Sequence, residues 1–280
     1  MSDKAKIADN QQETTFVSSN LINHKWGLLR DYAPNTLNYT DELVTLIALL
    51  YTDGGVSRHH LSSWRVFFAN TSVEAINLFR EVLVKTFKIS PDRIKVRITA
   101  NRYYFAVLTS KTIGDFLIKT FGNFRTLRYS NGKFPDTSIP VDDLISYQKA
   151  ELFLKTAFSM DGGVKFYVAR ETNGKFTLRK NVSLACHHPI LREQYCYLLN
   201  KLEVGNINIE TDKVIRIQGK EAIKNFAEKI GFIDGIKATR HSKYWCGREK
   251  NEILKLMIES YNNPAHFIRL LSSSDIVRTA

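Results

Sequence analysis

The sequence has few cysteines and no long apolar segment. Only Cys186, Cys196 and Cys246 occur in 280 residues. So sparse and odd a number argues against a disulfide scaffold and favours a reducing compartment, the cytoplasm of a prokaryote or an organelle. No apolar run approaches the roughly 20 residues that a membrane-spanning helix needs, and residues 1–15 show no apolar segment typical of a signal peptide. We therefore expect an intracellular protein with no membrane partner.

Acidic residues are scarce relative to basic ones. The chain has 40 lysines and arginines against 28 aspartates and glutamates, which gives a formal net charge of +12. Such an excess of cations favours a polyanionic partner, and a protein that is merely basic is the alternative at this point. A hydrophobic content of 44% is enough for one large domain or two modest ones.

The sequence contains two similar halves. Residues 46–56 read LIALLYTDGGV and residues 154–164 read LKTAFSMDGGV, so that Asp53 and Asp161 end equivalent segments 108 positions apart. A second correspondence lies downstream, where Lys111 and Gly122 match Lys220 and Gly231 at an offset of 109. Two correspondences at nearly the same offset indicate two structural repeats of about 105 residues.

Each repeat has the same predicted order of helix, two strands, helix, two strands and helix, from its apolar periodicity and turn residues. In the first repeat we predict helices at 41–52, 72–87 and 111–121 and strands at 55–60, 63–69, 93–99 and 103–108. In the second we predict helices at 148–160, 189–202, 220–230 and 249–261 and strands at 164–170, 176–186, 206–210 and 213–218. The fold class is therefore α/β (α+β), with two pseudo-symmetric αββαββα repeats.

The same patterns divide the chain into five segments. An N-terminal extension covers residues 1–39, the first repeat 40–122, a linker 123–146, the second repeat 147–262 and a C-terminal tail 263–280. The linker is placed by Asn131-Gly132, Pro135 and Pro140, which favour turns. Within the tail, Phe267 to Leu271 are candidates for packing.

The repeated helices end in an acidic residue. Small side chains such as Ala48 and Ala157 let two helices approach closely, and packing about a pseudo-twofold axis would bring Asp53 and Asp161 together. Two neighbouring carboxylates repel each other unless they are protonated or bridged by cations. Oxygen ligands suit Mg²⁺ or Mn²⁺, and paired metals at carboxylates favour phosphodiester hydrolysis. For one such Asp-Gly end an ordinary turn would be the better interpretation, but two in identical contexts favour a function.

The two segments resemble the paired motifs of the single-chain LAGLIDADG homing endonucleases, over roughly residues 40–262. The resemblance implies two halves that pack through the motif helices, with saddle-shaped antiparallel sheets over DNA. It implies metal ligation by Asp53 and Asp161 and by the backbone carbonyls of Thr52 and Met160. The sequence departs from the motif at its middle acidic position, which is Tyr51 in one copy and Ser159 in the other.

The resemblance also implies basic and polar groups beside the scissile phosphates. Lys133, which follows the first repeat, and Lys237, which lies in the second repeat, are the candidate catalytic lysines, with an exposed loop lysine as the alternative for each. Asn70 ends the strand where the family places a polar residue near the site. Cys186 ends the corresponding strand of the second repeat and does not suit that role, so we expect the two halves of the site to differ.

A two-stranded ribbon fits the major groove of DNA, and one face of such a ribbon should then be basic. Residues 93–99 alternate in this way, with a solvated outer face as the alternative. The candidate DNA-binding residues are Arg58, His60, Arg65, Arg93, Lys95, Arg97 and Arg102 in the first half and Lys165, Tyr167, Arg170, Lys175, Arg179, Lys180 and Arg216 in the second.

These observations predict a monomeric enzyme with internal pseudo-twofold symmetry. By resemblance, it is an intron-encoded endonuclease that makes a divalent-metal-dependent double-strand break in a long, partly palindromic DNA target. The alternatives on the same fold are an RNA maturase that assists intron splicing and a DNA-binding regulator that does not cut. Cys186, His187 and His188 fit no standard zinc finger, and we interpret them as a strand-to-helix turn.

Overall fold

The computed structural model describes residues 38–60, 62–100, 102–239, 242 and 244–272. The described residues from Tyr39 onward belong to one compact unit. Its helices are α1 (Asp41–Tyr51), α2 (Val73–Phe87), α3 (Lys111–Phe121), α4 (Val141–Ser146), α5 (Ala150–Asp161), α6 (Pro189–Lys201), α7 (Lys220–Lys229), α8 (Lys250–Glu259) and α9 (Pro264–Ser272). Its strands are β1 (Gly54–His59), β2 (Ser63–Asn70), β3 (Ile94–Ile98), β4 (Tyr104–Thr109), β5 (Gly162–Arg170), β6 (Phe176–Ala185), β7 (Ile207–Glu210) and β8 (Val214–Gln218).

The strands form two four-stranded antiparallel sheets with the same topology. The first has the order β1-β2-β4-β3 and the second the order β5-β6-β8-β7. Register places Val56 opposite Val66 in one sheet and Val164 opposite Val182 in the other. Because opposed residues share a face, each sheet has one apolar face that packs against helices and one outer face. The predicted duplication and fold class are confirmed.

The helices begin where the sequence offers an N-cap side chain. Thr40, Ser72 and Ser110 each accept a hydrogen bond from the backbone N–H three residues on, at the starts of α1, α2 and α3. These bonds satisfy donors that a helix leaves without an intrahelical partner. His188 caps α6 in the same way, through Nδ1 and the N–H of Leu191. The interpretation of 186–188 as a strand-to-helix turn is thereby confirmed.

The centre of the fold is the contact between α1 and α5. Every residue of α1 from Leu43 to Tyr51 is buried, and α5 buries Phe153, Leu154 and Phe158. Thr156 is also fully buried, and its hydroxyl donates to the carbonyl of Leu152 in the same helix. A helix without a polar face is one enclosed by protein, so these two helices form the core that the halves share.

Two helices lie outside the predicted elements. α4 forms within the predicted linker, where Leu144 is fully buried. α9 lies in the predicted tail and packs against β5 and β6, with Phe267 and Leu271 buried. Most of the predicted extension (1–39), the end of the tail (273–280) and Asn101 lie outside the described residues. No helix among the described residues is long and apolar enough to cross a membrane.

Candidate functional site

The two repeated aspartates lie at the ends of the central helices. Asp53 follows the last turn of α1 after Thr52, and Asp161 is the last residue of α5. Each is followed by a glycine that the chain path requires. A Cβ at Gly54 would lie 2.9 Å from both Leu49 O and Phe67 O, and one at Gly162 would overlap Phe158 O. The Asp-Gly pair therefore lets the helix turn directly into the first strand of its sheet.

Burial dominates the electrostatics of these carboxylates. Burial and, to a smaller extent, the nearby charge of Asp53 together raise the pKa of Asp161 to about 8, against the charge of Lys250, which lowers it. Burial also raises the pKa of Asp53, against a hydrogen bond from Asn70 and the charge of Lys250, which lower it. Because each carboxylate is desolvated and Asp161 feels the charge of Asp53, the pair forms one electrostatic centre that a cation would stabilise.

Lys250 supplies a buried positive charge at this centre, a residue that was not predicted from the sequence. Its side chain donates to the carbonyl oxygens of Ser159, at 2.6 Å, and Gly162, at 2.7 Å. The residue is only 5% exposed, and burial lowers its pKa to about 8 despite the charges of Asp161 and Asp53. A buried lysine is costly unless it is paired, and this one also begins a helix, where a cation opposes the macrodipole.

A signal for Lys250 was present in the sequence. Lys250, Ile253, Leu254 and Met257 are spaced as one face of a helix, and all four are buried. A lysine on an otherwise apolar stripe is a polar group placed in the core, and such a departure marks a functional site.

A cavity of about 540 Å³ opens beside Asp53. Its lining includes Asn70 and Lys250, together with Lys237 from the loop before α8. Asn70 donates to Asp53 Oδ2 at 2.7 Å. Glu74, at the start of α2, lines the same cavity. Its pKa is lowered mainly by the hydrogen bond from Ser72 and also by the charge of Lys237. The structure thus brings Asn70 and Lys237, two of the sequence-predicted residues, to the cavity of Asp53.

Lys133 and Cys186 lie elsewhere. Lys133 is exposed in a turn, where its backbone carbonyl accepts a hydrogen bond from the N–H of Tyr129. It is not one of the described residues that line the cavity beside Asp53. Cys186 is buried, and its thiol donates to the carbonyl of His188. Burial raises the pKa of Cys186 to about 12, so it stays a thiol. The catalytic role of Lys133 remains a prediction.

The donor set at the two helix ends fits a hard divalent cation. Two carboxylates with raised pKa values lie together, and the carbonyl groups of Thr52 and Met160 stand at the same helix ends. Such oxygen ligands suit Mg²⁺, which retains several waters. The described residues contain no group of three or more histidine, cysteine or acidic side chains that would form a fuller protein cage. The remaining coordination would therefore come from water and substrate.

Strand register sorts the candidate DNA-binding residues into three sets. On the outer faces of the two sheets lie Arg65, Lys95, Arg97, Lys165, Tyr167, Arg179 and Arg216. In turns between elements or in the short 3-10 helix before β3 lie His60, Arg93, Arg102 and Lys175. On the helix-facing sides lie Arg58, Arg170 and Lys180.

The residues of the third set were predicted to face DNA, but their side chains lie on the opposite, helix-facing side of the sheets. Arg58 shares its face with Val56 and Val66, and its guanidinium lies 4.2 Å from the ring centre of Trp64. The ammonium of Lys180 lies 3.5 Å from the ring centre of Tyr261. Since successive residues of a strand point to opposite faces, counting basic residues along a strand did not distinguish these from the outer-face set.

No family model matches the chain, and no curated protein matches it. Several solved structures do match the chain. I-DmoI in complex with DNA and Ca is 16% identical, with a TM-score of 0.45 over 68% of this chain and 88% of that chain. The homing endonuclease I-WcaI bound to its DNA recognition sequence is 17% identical, with a TM-score of 0.43 over 78% and 95%. The LAGLIDADG meganuclease I-AabMI bound to uncleaved DNA is 11% identical, with a TM-score of 0.48 over 84% and 97%. Because these TM-scores are below 0.5, the assignment of function depends on the geometry of this chain's own residues.

Proposed function

We propose that the protein is a LAGLIDADG-type endonuclease that cuts both strands of a long DNA target. The observation that carries the proposal is the meeting of Asp53 and Asp161, at equivalent ends of two packed helices, in one half-buried, partly desolvated electrostatic centre. A structural role gives no reason to bring two carboxylates together and partly desolvate them, which costs free energy. A divalent-metal site does give one.

The residues at this centre would have different roles. Asp53 and Asp161, with the carbonyls of Thr52 and Met160, would hold Mg²⁺ or Mn²⁺. Such a metal activates water at neutral pH and stabilises the leaving oxygen of a phosphodiester. Asn70 fixes the orientation of the Asp53 carboxylate. Lys250 fixes the end of α5 and offsets negative charge.

Lys237, exposed at the mouth of the same cavity, is placed to contact a phosphate.

The two sheets provide the surface for the DNA. Each outer face carries cations, and the whole chain has a net charge of +12. An antiparallel ribbon fits the major groove, so one sheet would bind on each side of the cleavage centre. The single-chain, pseudo-symmetric arrangement favours action as a monomer on a partly palindromic target. Encoding within an intron is the natural setting for such an enzyme, and intron RNA is a further candidate partner.

The test is a cleavage selection. Circular DNA carrying a randomised region is incubated with the full chain and Mg²⁺ or Mn²⁺, and the new ends are sequenced. We expect breaks in both strands within one long motif. Asp53→Asn and Asp161→Asn should each abolish the double-strand break and retain binding. Asp142→Asn, an exposed acid of α4, is the matched control and should cut like the wild type. Intact DNA together with tight binding of structured intron RNA would favour the maturase instead.

A further inference from the structure

Met160 places a thioether at the edge of the carboxylate centre. It immediately precedes Asp161 at the end of α5, it is partly exposed, and it lines the cavity beside Asp53. The other methionine in the described part of the chain, Met257, is fully buried on α8. A small solute that enters the cavity therefore meets the side chain of Met160 and not that of Met257.

The sulfur of Met160 lies against the amide that orients Asp53. Asn70 Nδ2 donates to Asp53 Oδ2 at 2.7 Å, and it also lies 4.0 Å from Met160 Sδ. The oxygen of the same amide is already engaged, because it accepts from the backbone N–H of Ser72 at 2.8 Å. A thioether is a weak acceptor, so the bond to Asp53 determines how the amide is turned. Met160, in the second repeat, thus touches the residue that holds the carboxylate of the first.

Among the described residues, the equivalent position of the first repeat makes no such contact. Thr52 occupies that position, and its hydroxyl donates to the carbonyls of Ala48 and Leu49 within α1, each at 3.1 Å. A hydroxyl bonded within its own helix does not reach the other repeat, and it does not accept oxygen from a peroxide. Oxidation at this centre would therefore act on one half of the site.

Hydroperoxides oxidise a thioether in a balanced two-electron step. A lone pair of the sulfur attacks one peroxide oxygen and the O–O bond breaks. The departing hydroxide or alkoxide takes up a proton and leaves as water or an alcohol. The product is a sulfoxide, which is polar and chiral and can be reduced again enzymatically. Its oxygen accepts hydrogen bonds far better than the sulfur of the thioether does.

We propose that Met160 is a reversible oxidation site through which hydroperoxides slow the cleavage reaction. An oxygen added on the side of Asn70 takes the space between Sδ and Nδ2, so that the amide turns toward it and the carboxylate of Asp53 loses its fixed orientation. The same oxygen brings a partial negative charge beside two carboxylates, which also disfavours their present arrangement. This inference rests on the proposed function, since cleavage is the activity that oxidation would change.

The experiment treats the full chain in EDTA with hydrogen peroxide, removes the peroxide, and measures single-turnover cleavage of the target found by selection. All proteins carry Cys196→Ser and Cys246→Ser, which remove the two cysteines that are not buried. Peptide mass spectrometry measures the sulfoxide at Met160 and at Met257 separately. We expect Met160 to oxidise first and the rate to fall about 10- to 100-fold when it is fully oxidised, the usual cost of disturbing a group that orients a metal ligand. Methionine sulfoxide reductase should restore the rate, whereas dithiothreitol alone should not.

Substitutions at both ends of the contact test the route. Met160→Leu has a similar volume and no oxidisable sulfur, so peroxide should leave its rate unchanged, whatever that rate is. Met160→Thr, which copies Thr52, takes its place if melting shows that the leucine variant is unfolded. Met257→Leu is the matched control and should lose activity on oxidation as the parent protein does. Asn70→Ala should cut slowly from the start and lose at most about 2-fold more, because effects that act through one contact do not add.

Several outcomes would overturn this inference and leave the proposed function intact. One is complete formation of the sulfoxide at Met160 with an unchanged rate, and another is oxidation of Met257 ahead of Met160. A loss of rate that persists in Met160→Leu, or that is as large in Asn70→Ala as in the parent protein, would overturn it as well. An untreated protein that cuts no DNA would overturn the proposed function and this inference with it.

Discussion

The side-chain amide of Asn70 donates a 2.7 Å hydrogen bond to Asp53 Oδ2, and its oxygen accepts one from the backbone N–H of Ser72. Asn70 thereby ties the first carboxylate to the start of α2. The second carboxylate is held differently, because Cys186 bonds instead to the carbonyl of His188 and the neighbour of Asp161 is the buried Lys250. The two halves of the site are thus unequal in a specific way.

Replacing Asn70 by alanine should slow cleavage about 10- to 100-fold, the usual cost of losing a residue that orients a metal ligand. Asp53 would keep its charge and lose its fixed orientation, so DNA binding should change little. Single-turnover cleavage and a gel-shift titration measure the two effects separately. Cys186→Ala changes the residue at the equivalent position of the second repeat, directly after β6, and should cut at close to the wild-type rate. Equal losses in both variants would show that Asn70 has no special part.

Replacing Lys250 by methionine should reduce the cleavage rate by about 100-fold or more, since a charge preorganised beside the reacting centre is lost. Stability should change far less. The desolvation cost of a buried ammonium disappears, while the carbonyls of Ser159 and Gly162 lose their donor, and these effects oppose each other. Denaturant unfolding measures the stability of this variant and single-turnover cleavage its activity.

Lys255→Met is the matched control for Lys250, since Lys255 lies exposed on the same helix. It should keep both full activity and wild-type stability. A Lys250→Met protein that is folded and fully active would remove Lys250 from the site.

The sequence allowed the duplicated fold to be predicted because its signals are local. Apolar periodicity, N-cap residues and the two Asp-Gly-Gly-Val ends determine each helix and strand within one segment, and the repeat identifies equivalent positions. The juxtaposition of Asp53 and Asp161 followed from that symmetry alone. Asn70 was predicted through the resemblance to the family, which places a polar residue at the end of that strand.

Features that depend on long-range packing could not be predicted from such local signals. Lys250 reaches the site from 89 positions beyond Asp161 in the chain, and only its place on an apolar stripe marks it. The two departures from the family motif, Tyr51 and Ser159, also depend on long-range contacts. Tyr51 donates to the carbonyls of Phe121 and Ser138, and Ser159 accepts from the N–H of Ile233. Both residues hold the segment at or after the end of the third helix of their repeat, α3 or α7, a role that no local pattern indicates.

The raised pKa of Asp161 predicts how the metal-free protein responds to pH. An acid whose pKa is higher in the folded than in the unfolded state stabilises the fold while it is protonated. This contribution is complete below about pH 4, the ordinary value for aspartate, and is lost as the pH rises toward 8. In EDTA, the melting temperature of the wild type should therefore fall between pH 4 and pH 8 relative to that of Asp161→Asn.

Adding Mg²⁺ at pH 8 should raise the melting temperature of the wild type, because bound cation stabilises the folded state by mass action. It should do much less for Asp161→Asn. Parallel melting curves of the two proteins across this pH range would contradict the buried, destabilising charge assigned to Asp161.

The assignment of faces predicts different salt dependences for two lysines. Lys95 lies on the outer face of the first sheet, whereas Lys180 lies on the helix side of the second against Tyr261. Each phosphate contact releases counterions and contributes about 0.9 to the slope of log affinity against log salt concentration. Lys95→Gln should therefore reduce that slope by about 0.9, while Lys180→Gln should leave it unchanged. Both variants remove one positive charge, so net charge alone would change the two slopes equally, and only the orientation of each strand toward DNA separates them.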